Sequence, residues 1–512
     1  MHIPLDALPG LPRLFVDYVR DASSMNRFFP EGPTLDEVEC FARDGVAVDT
    51  GARERLAGVL DRQQARWGSD SRSARRLADG AVAVVTGQQA GLFTGPLLSV
   101  FKALTAVKLA RELVRRGIDA VPVFWIASDD HDHEEVAWAG IVDQDSCFQR
   151  ITTALGTPAA KPVAWLRYTD DISAALAECF TSLPPSQWHA DIRAIVESVY
   201  RPGSSPVDAF ARMLLRLFEG SGLVMADPMD PPLRRLATDV LETALERNDE
   251  LRGAVIDRTR MIREAGYAGQ VHVDEAFTGF FVLDGTSRLP LDRGRTGGVS
   301  AAELSPNVLL RPVVQDSVFP TAAYVAGPAE IAYLAQAGAA YECLGRRMPP
   351  IVPRITATLV DPPMSRIMRK HGLGLGDVLG GSDNLRRRVM RNSADGTLFD
   401  EVERDVVDQI RRLGPLLEGA DTTLVGALEH SIQKMTGQID GLRSRFIAAE
   451  TRRNRLLERQ LASLEQRLFP EKKLQERAVN VTSFLVRYGM NLMTLIDERL
   501  ALDGSVHQVV EL

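Results

Sequence analysis

Cysteine is scarce and scattered. Only Cys40, Cys147, Cys179 and Cys343 occur, and no two form a CxxC pair. That removes the usual basis for a structural zinc site or a thioredoxin-like motif, and it suits a reducing compartment. Long apolar runs are missing as well. No stretch approaches the ~20 residues that span a bilayer. The start, Met1-His2-Ile3-Pro4-Leu5-Asp6, has neither the basic residues nor the apolar run of a signal peptide. The expectation is a cytoplasmic protein without a membrane partner. Positive charge is not in excess, since 60 Lys and Arg face 68 Asp and Glu for a net charge of −8. Nucleic acid is therefore not expected as a partner. Neither a Walker loop nor a G-x-G-x-x-G fingerprint is present. What the chain does have is size: 512 residues, 45% of them hydrophobic, enough for roughly two to four domains with a large core.

Two polar clusters stand out against this background. Val84-Val85-Thr86-Gly87-Gln88-Gln89-Ala90-Gly91-Leu92-Phe93-Thr94-Gly95-Pro96 follows the apolar run Ala81 to Thr86. Asp129-Asp130-His131-Asp132-His133-Glu134-Glu135 follows Val121 to Ala127. The stretch between them reads as helix, with Thr94 as cap, Pro96 in the first turn, a face of Leu97, Phe101 and Leu104, and Gly117 at the end. This is a βαβ unit. Strands of a parallel sheet end on one edge, where ligands bind, so the two clusters should share a crevice.

Residues 1 to 80 read as a helix-rich lead-in, with helical spacing over Thr34 to Arg43 and Ala52 to Trp67. Gly222 to Pro228 reads as another buried strand, and Val271 to Val273 with Gly279 to Leu283 as a strand pair. Ala322 to Val325 reads as a strand that turns at Gly327-Pro328 into a helix. The composition changes near Gly374. Leu428, Ile432, Met435, Ile439, Leu442, Phe446 and Ala449 then repeat as a heptad seam, resumed by Leu457, Leu461, Leu464 and Leu468. A preceding helix, Phe399 to Leu417, and a turn at Gly419 to Asp421 suggest a helical hairpin or coiled-coil arm. The expected division is a parallel α/β core over 1–375 with inserted connecting segments at about 150–320, an arm over 376–470, and a segment 471–512 returning to the core.

The glycines and amides of the first cluster favour an anion, held by backbone N–H groups at a helix start, with Lys102 adding charge. The alternative is a tight turn whose glutamines bond its own backbone. The second cluster can supply an acid–base pair or bind a divalent metal; its alternative is an acidic first turn of a helix, which explains Glu134 and Glu135 better than it explains two histidines and three aspartates. Arg311, Gln315, Asp316, Glu330 and Tyr333 are set among apolar residues, so either they form an internal Arg–Asp pair or they recognise a substrate. The candidate site is thus Asp130, His131 and Asp132 as catalytic groups, with Thr86, Gln88, Gln89, Thr94, Lys102, Arg311, Glu330 and Tyr333 binding substrate. No resident metal is expected.

Thr86 to Leu97, Pro122 to Ala127 with Asp130-His131-Asp132 and Glu134-Glu135, Ser305 to Pro312, Gly327-Pro328 with Glu330 to Tyr333, Leu474 to Arg477 and Tyr488-Gly489 together resemble the BshC family of bacillithiol biosynthesis. The resemblance spans nearly the whole chain, with His133 and Ala329 as small departures. It implies a Rossmann-like core with inserted connecting segments, and an α-helical coiled-coil arm supporting a homodimer. It implies a ligase that joins L-cysteine to glucosaminyl malate through an amide, as the last step of the pathway. It also implies an adenine-nucleotide site (ATP or ADP) near the C-terminal part, placed at Gln475, Arg477 and Tyr488. An amide does not form usefully from carboxylate and ammonium in water, so the cysteine carboxylate needs activation. In that chemistry His131 or Asp132 would deprotonate the amine, and Arg311 would grip a malate carboxylate bidentately. The rival readings are a metal-dependent hydrolase using the Asp/His cluster and a non-catalytic dimeric scaffold.

Overall fold

The computed structural model describes residues 2–44, 46, 49–155, 160–295, 298–391, 394–453 and 455–512. The chain divides into two compact units. One comprises residues 1–358 and 476–510, the other 359–475 and 511–512.

The first unit is built on a five-stranded parallel sheet. Its strands, in spatial order, are Ile351–Pro353, Thr321–Ala326, Val82–Gln88, Ala120–Ile126 and Val224–Ala226. The three central strands are buried throughout, apart from partly exposed Gln88, which is why they read as unbroken apolar runs rather than alternating ones. The chain builds outward from Val82–Gln88 in one direction, then returns to its other side with Thr321–Ala326. The strand order therefore reverses between these two strands, and a crevice opens at such a switch point. Leu98–Arg115 is the crossover helix of the first βαβ unit, and it packs on the sheet with Leu104, Val107 and Leu113 buried.

Several expectations are corrected in this unit. The helix starts at Leu98 with no side-chain cap, so Thr94 does not cap it. Instead Leu92–Thr94 is a single tight turn in which Phe93 (φ 52°) and Thr94 (φ 80°) are left-handed, a conformation costing about 1–2 kcal/mol per non-glycine residue. Asn480 holds that turn through its side-chain N–H bonds to the carbonyls of Phe93 (2.8 Å) and Gly95 (2.6 Å). Val271 to Val273 is not a strand. Phe280–Leu283 pairs instead with Arg288–Pro290 and Leu304–Pro306. The run Val271 to Val273 is too short to hold a ladder against the competing bonds that Gln336 makes with both backbone groups of Val271. The N-terminal helices Leu35–Asp44 and Thr50–Trp67 lie where the spacing puts them.

The second unit is helical, chiefly Ala394–Arg411, Gly414–Ala420, Leu424–Arg453 and Arg455–Leu468. It begins at Leu359 rather than near 375, because the helix Pro362–His371 already belongs to it. The expected helix Phe399 to Leu417 is broken before Gly414-Pro415, where proline suits only a first turn. The connection to the next helix is Asp421 to Thr423, not Gly419 to Asp421, with Asp421 accepting from the Thr423 N–H and hydroxyl. The long helix hides Leu428 and Ile432, but its inner row continues through Arg443 and Ile447, while Met435 and Leu442 are exposed. Arg443 pairs with Asp400 and Glu403, and Phe446 stacks on Phe399 at 5.6 Å. Among the described residues no helix is long and apolar enough to cross a membrane.

Candidate functional site

A cavity of about 300 Å³ lies at the switch point, at the lower end of the usual range for small-molecule sites. Its floor is the ends of the two strands at which the order reverses, Gly87 to Gln89 and Gly327 to Glu330. Gly87 is required there: a Cβ would sit 2.8 Å from the Trp125 carbonyl oxygen on the neighbouring strand. Glu330 is fixed by its own helix start. It accepts from the Gly327 N–H (2.8 Å), closing the first turn of Pro328–Cys343. It also pairs with Lys102 at 2.5 Å and accepts from the Tyr324 hydroxyl.

Lys102 is almost fully buried, and its ammonium bonds Gly87 O, Gln88 Oε1 and Glu330. An ammonium has three donors, so Lys102 holds the crevice floor rather than offering a free N–H. Burial works to raise the Glu330 carboxyl, but Lys102 and the Gly327 N–H together hold it below the ordinary carboxylate range.

One wall is cationic. Arg311 is set at the start of the helix Arg311–Val318 by Asn307, whose side-chain oxygen accepts from the Leu309 and Leu310 N–H groups, both at 3.0 Å. This is the structural meaning of the Ser305-Pro306-Asn307 motif. Arg311 donates to Tyr333 Oη at 2.7 Å, its one side-chain hydrogen bond among the described residues, and lines the cavity. There is no Arg311–Asp316 pair; Asp316 instead takes the Tyr341 hydroxyl. Arg354 and Arg477 complete this wall. Arg354 is buried and gripped bidentately by Glu476 (2.5 and 3.0 Å), which also accepts from Thr356 Oγ1 and the Ala357 N–H. Thr356 and Thr358 in turn hold buried His507, at 2.8 Å from each ring nitrogen.

The other wall is anionic. Gln89 Nε2 donates to Asp130 Oδ2 at 2.6 Å, which puts the two clusters on one sheet edge. Glu135 lines the cavity beside them. Burial works to raise Asp130, yet Gln89, Arg288 and the His131 N–H lower it overall.

Not every expected residue joins the crevice. Thr86 is buried, its hydroxyl donating to the Val325 carbonyl, and Thr94 is buried with its N–H on the Tyr200 hydroxyl. The Thr94 and Leu97 N–H groups are thus taken, the second by the Val479 carbonyl. His131 and Asp132 lie outside the lining residues. His131 Nδ1 faces Arg288 Nη1 at 3.1 Å, His133 bonds the Lys161 carbonyl, and Asp132 caps the short turn at Glu135. Burial and the Arg288 charge hold His131 below the ordinary histidine range. Arg288 is a buried hub that also bonds Ser305 and the Pro306 carbonyl.

The residues expected to meet a nucleotide have the following surroundings. Gln475 is committed at both ends of its amide, accepting from Leu359 N and donating to Leu359 O and Arg467 O. Arg477 lies on the crevice, and Tyr488 ends the helix Thr482–Tyr488. Residues missed from sequence are Arg354, Glu135, Arg288, Glu476 and Asn480. Arg354 was findable, since it directly follows the apolar strand Ile351–Pro353 as Gln89 and Glu330 follow theirs.

Comparison with known proteins agrees with this architecture. Residues 2–355 match the family model described as bacillithiol biosynthesis BshC, N-terminal Rossmann-like domain, and residues 357–512 the BshC C-terminal coiled-coil domain. Among curated relatives, a protein of Koribacter versatilis bearing the cysteine ligase BshC name is 34% identical, covering 97% of both chains. Those of Solibacter usitatus and Salinibacter ruber are 34% and 32% identical, covering 98% and 99% of this chain and 98% and 97% of their own.

Proposed function

The chain belongs to the BshC family, and from that premise we propose that it joins L-cysteine to glucosaminyl malate by an amide bond, the last step in making bacillithiol. The observation that carries the reading at the site is the two-signed crevice: Arg311 and Arg477 on one wall, Asp130 and Glu135 on the other. Glucosaminyl malate carries carboxylates at one end and an amine at the other, and a bidentate arginine is the preferred carboxylate partner. The Asp/His cluster offers a hydrolase less, because its side chains are turned to separate partners.

Amide formation needs an activated carboxyl, and an adenine nucleotide is the simplest source. Arg477, which lines the crevice, offers a cation for its phosphate. A second copy of the chain fits the arm, where Met435, Leu442 and Leu456 are exposed on helices that bury Leu428, Ile432, Leu457 and Leu461. A cytoplasmic setting suits a biosynthetic thiol ligase.

The test is made in cells. A deletion strain should lack bacillithiol and accumulate glucosaminyl malate. The wild-type chain should restore the thiol and Arg311→Ala should not. A deletion strain that keeps its bacillithiol, with no second copy of the enzyme present, would sink the assignment.

A further inference from the structure

We infer that Gln89, Asp130 and Glu135 form the seat of the sugar amine, and that Glu135 is the base that takes its proton. This rests on the ligase reading above. Gln89 links the two carboxylates: its N–H groups bond Asp130 at 2.6 Å and reach Glu135 as well. Its carbonyl oxygen is buried with no hydrogen-bond partner. Three acceptors therefore converge on one end of a cavity, with one of them lacking a donor. A buried acceptor without a donor is costly. The nearby cations do not supply one. Lys102 is saturated by three other acceptors, and Arg288 is turned to Ser305, Pro306 and His131. An ammonium group brings the missing N–H donors and the missing charge. An acetylated nitrogen brings one N–H and a carbonyl that the acceptors repel.

The geometry also decides between candidate bases. Arginine only donates, so Nδ1 of His131 accepts from Arg288, and in the neutral ring Nε2 then carries the proton. His131 so arranged donates, and it stands outside the cavity lining. Asp130 is held ionised by Gln89, Arg288 and the His131 N–H, which makes it a weaker base. Glu135 lies on the cavity. Burial and the charges of Asp132 and Asp130 raise its carboxyl, against the opposing effects of Gln89 and Lys102. That suits proton exchange nearer neutrality. One N–H bond of the ammonium breaks and one O–H bond forms on Glu135. The nitrogen keeps the electron pair that its attack on the activated cysteine carboxyl requires.

Calorimetric binding of glucosaminyl malate and of its N-acetylated form to the full-length protein tests this. Wild type should prefer the free amine by about tenfold or more, as expected for a charge-assisted hydrogen bond. Glu135→Gln should bring the two ligands to within about threefold, and His131→Gln should keep the preference. In the complemented strain Glu135→Gln should lower bacillithiol formation by about 10²-fold or more, with partial rescue by Glu135→Asp and an unchanged melting temperature. Equal binding of both forms by wild type, or a preference that survives Glu135→Gln, overturns the inference. If wild type binds neither form, the crevice is not the acceptor site. The ligase reading of this pocket then fails, and the inference with it.

Discussion

The crevice and the arm solve opposite problems. Around the crevice, charges are buried and each has its partner: Lys102 with Glu330, Arg354 with Glu476, Arg288 beside Asp129 and Asp130. In the arm the pairs Arg386–Asp383 and Arg388–Asp377 lie toward the surface and Arg443 is the buried exception, while apolar side chains such as Met435, Leu442 and Leu456 stand exposed. Burying a charge is expensive unless it is paired, and exposing a large apolar side chain forgoes roughly 1.5–3 kcal/mol. Each region accepts the cost that marks its work. The core keeps polar groups ready for a small polar ligand, and the arm keeps methyl groups ready for another surface.

Glu476→Ala breaks the comparison most severely. It leaves the Arg354 guanidinium buried without its counter-charge, so unfolding free energy should fall by about 3–5 kcal/mol in a denaturant titration. Unchanged stability would mean that the cationic wall does not depend on this pair.

Asp316→Asn sharpens the comparison in the other direction. Burial pushes Asp316 up to about 6, well above an unfolded aspartate. Its contribution therefore favours folding fully below the ordinary aspartate value and is lost as pH rises through about 6. The asparagine variant should flatten the stability profile between about pH 4 and 6 and be more stable at pH 7, by up to about 3 kcal/mol. A wild-type profile with no such slope would show that Tyr341 and Gln315 compensate the burial fully.

Ile432→Ala probes the arm's inner row and should cost about 2 kcal/mol, read from the arm's own unfolding transition. Leu442→Glu should be the mildest, within about 0.5 kcal/mol, because the side chain is 61% exposed. Its readout is sedimentation: the variant should shift toward monomer while Ile432→Ala keeps the assembly. If neither changes the sedimentation profile, the exposed row is not a subunit contact.

The same contrast explains what could be read from sequence. Gln89 and Asp130 each follow a conspicuous apolar run, so parallel-sheet logic puts them on one edge, while Arg311 and Glu330 show in the sequence only as charged residues set among apolar ones. That logic did not say which strand pair holds the crevice. It placed the site between the first two strands, whereas the order reverses between Val82–Gln88 and Thr321–Ala326. His131 stands next to Asp130, which lines the cavity, but its orientation depends on Arg288, which is 157 positions away. Glu476 and Asn480 likewise act on residues distant in sequence and carry no local pattern. In the arm the heptad row correctly announced helices. Periodicity gives a stripe, though, and cannot say which flank a neighbouring helix covers; here Arg443, paired with Asp400 and Glu403, takes part of the inner row.

Asn480 carries one more consequence, for the making of the protein. It clasps a turn lying 385 residues earlier in the chain; nearby, Arg477 lines the crevice and Glu476 pairs with the lining residue Arg354. At about 5–20 residues per second, the ribosome needs roughly 20–80 s to go from the turn to its clasp. For that interval the first strands and their left-handed turn exist without the segment that holds them. The crevice lining is not complete in the nascent chain until the stretch from Glu476 to Asn480 has left the exit tunnel, and a message truncated before it yields a sheet without that clasp.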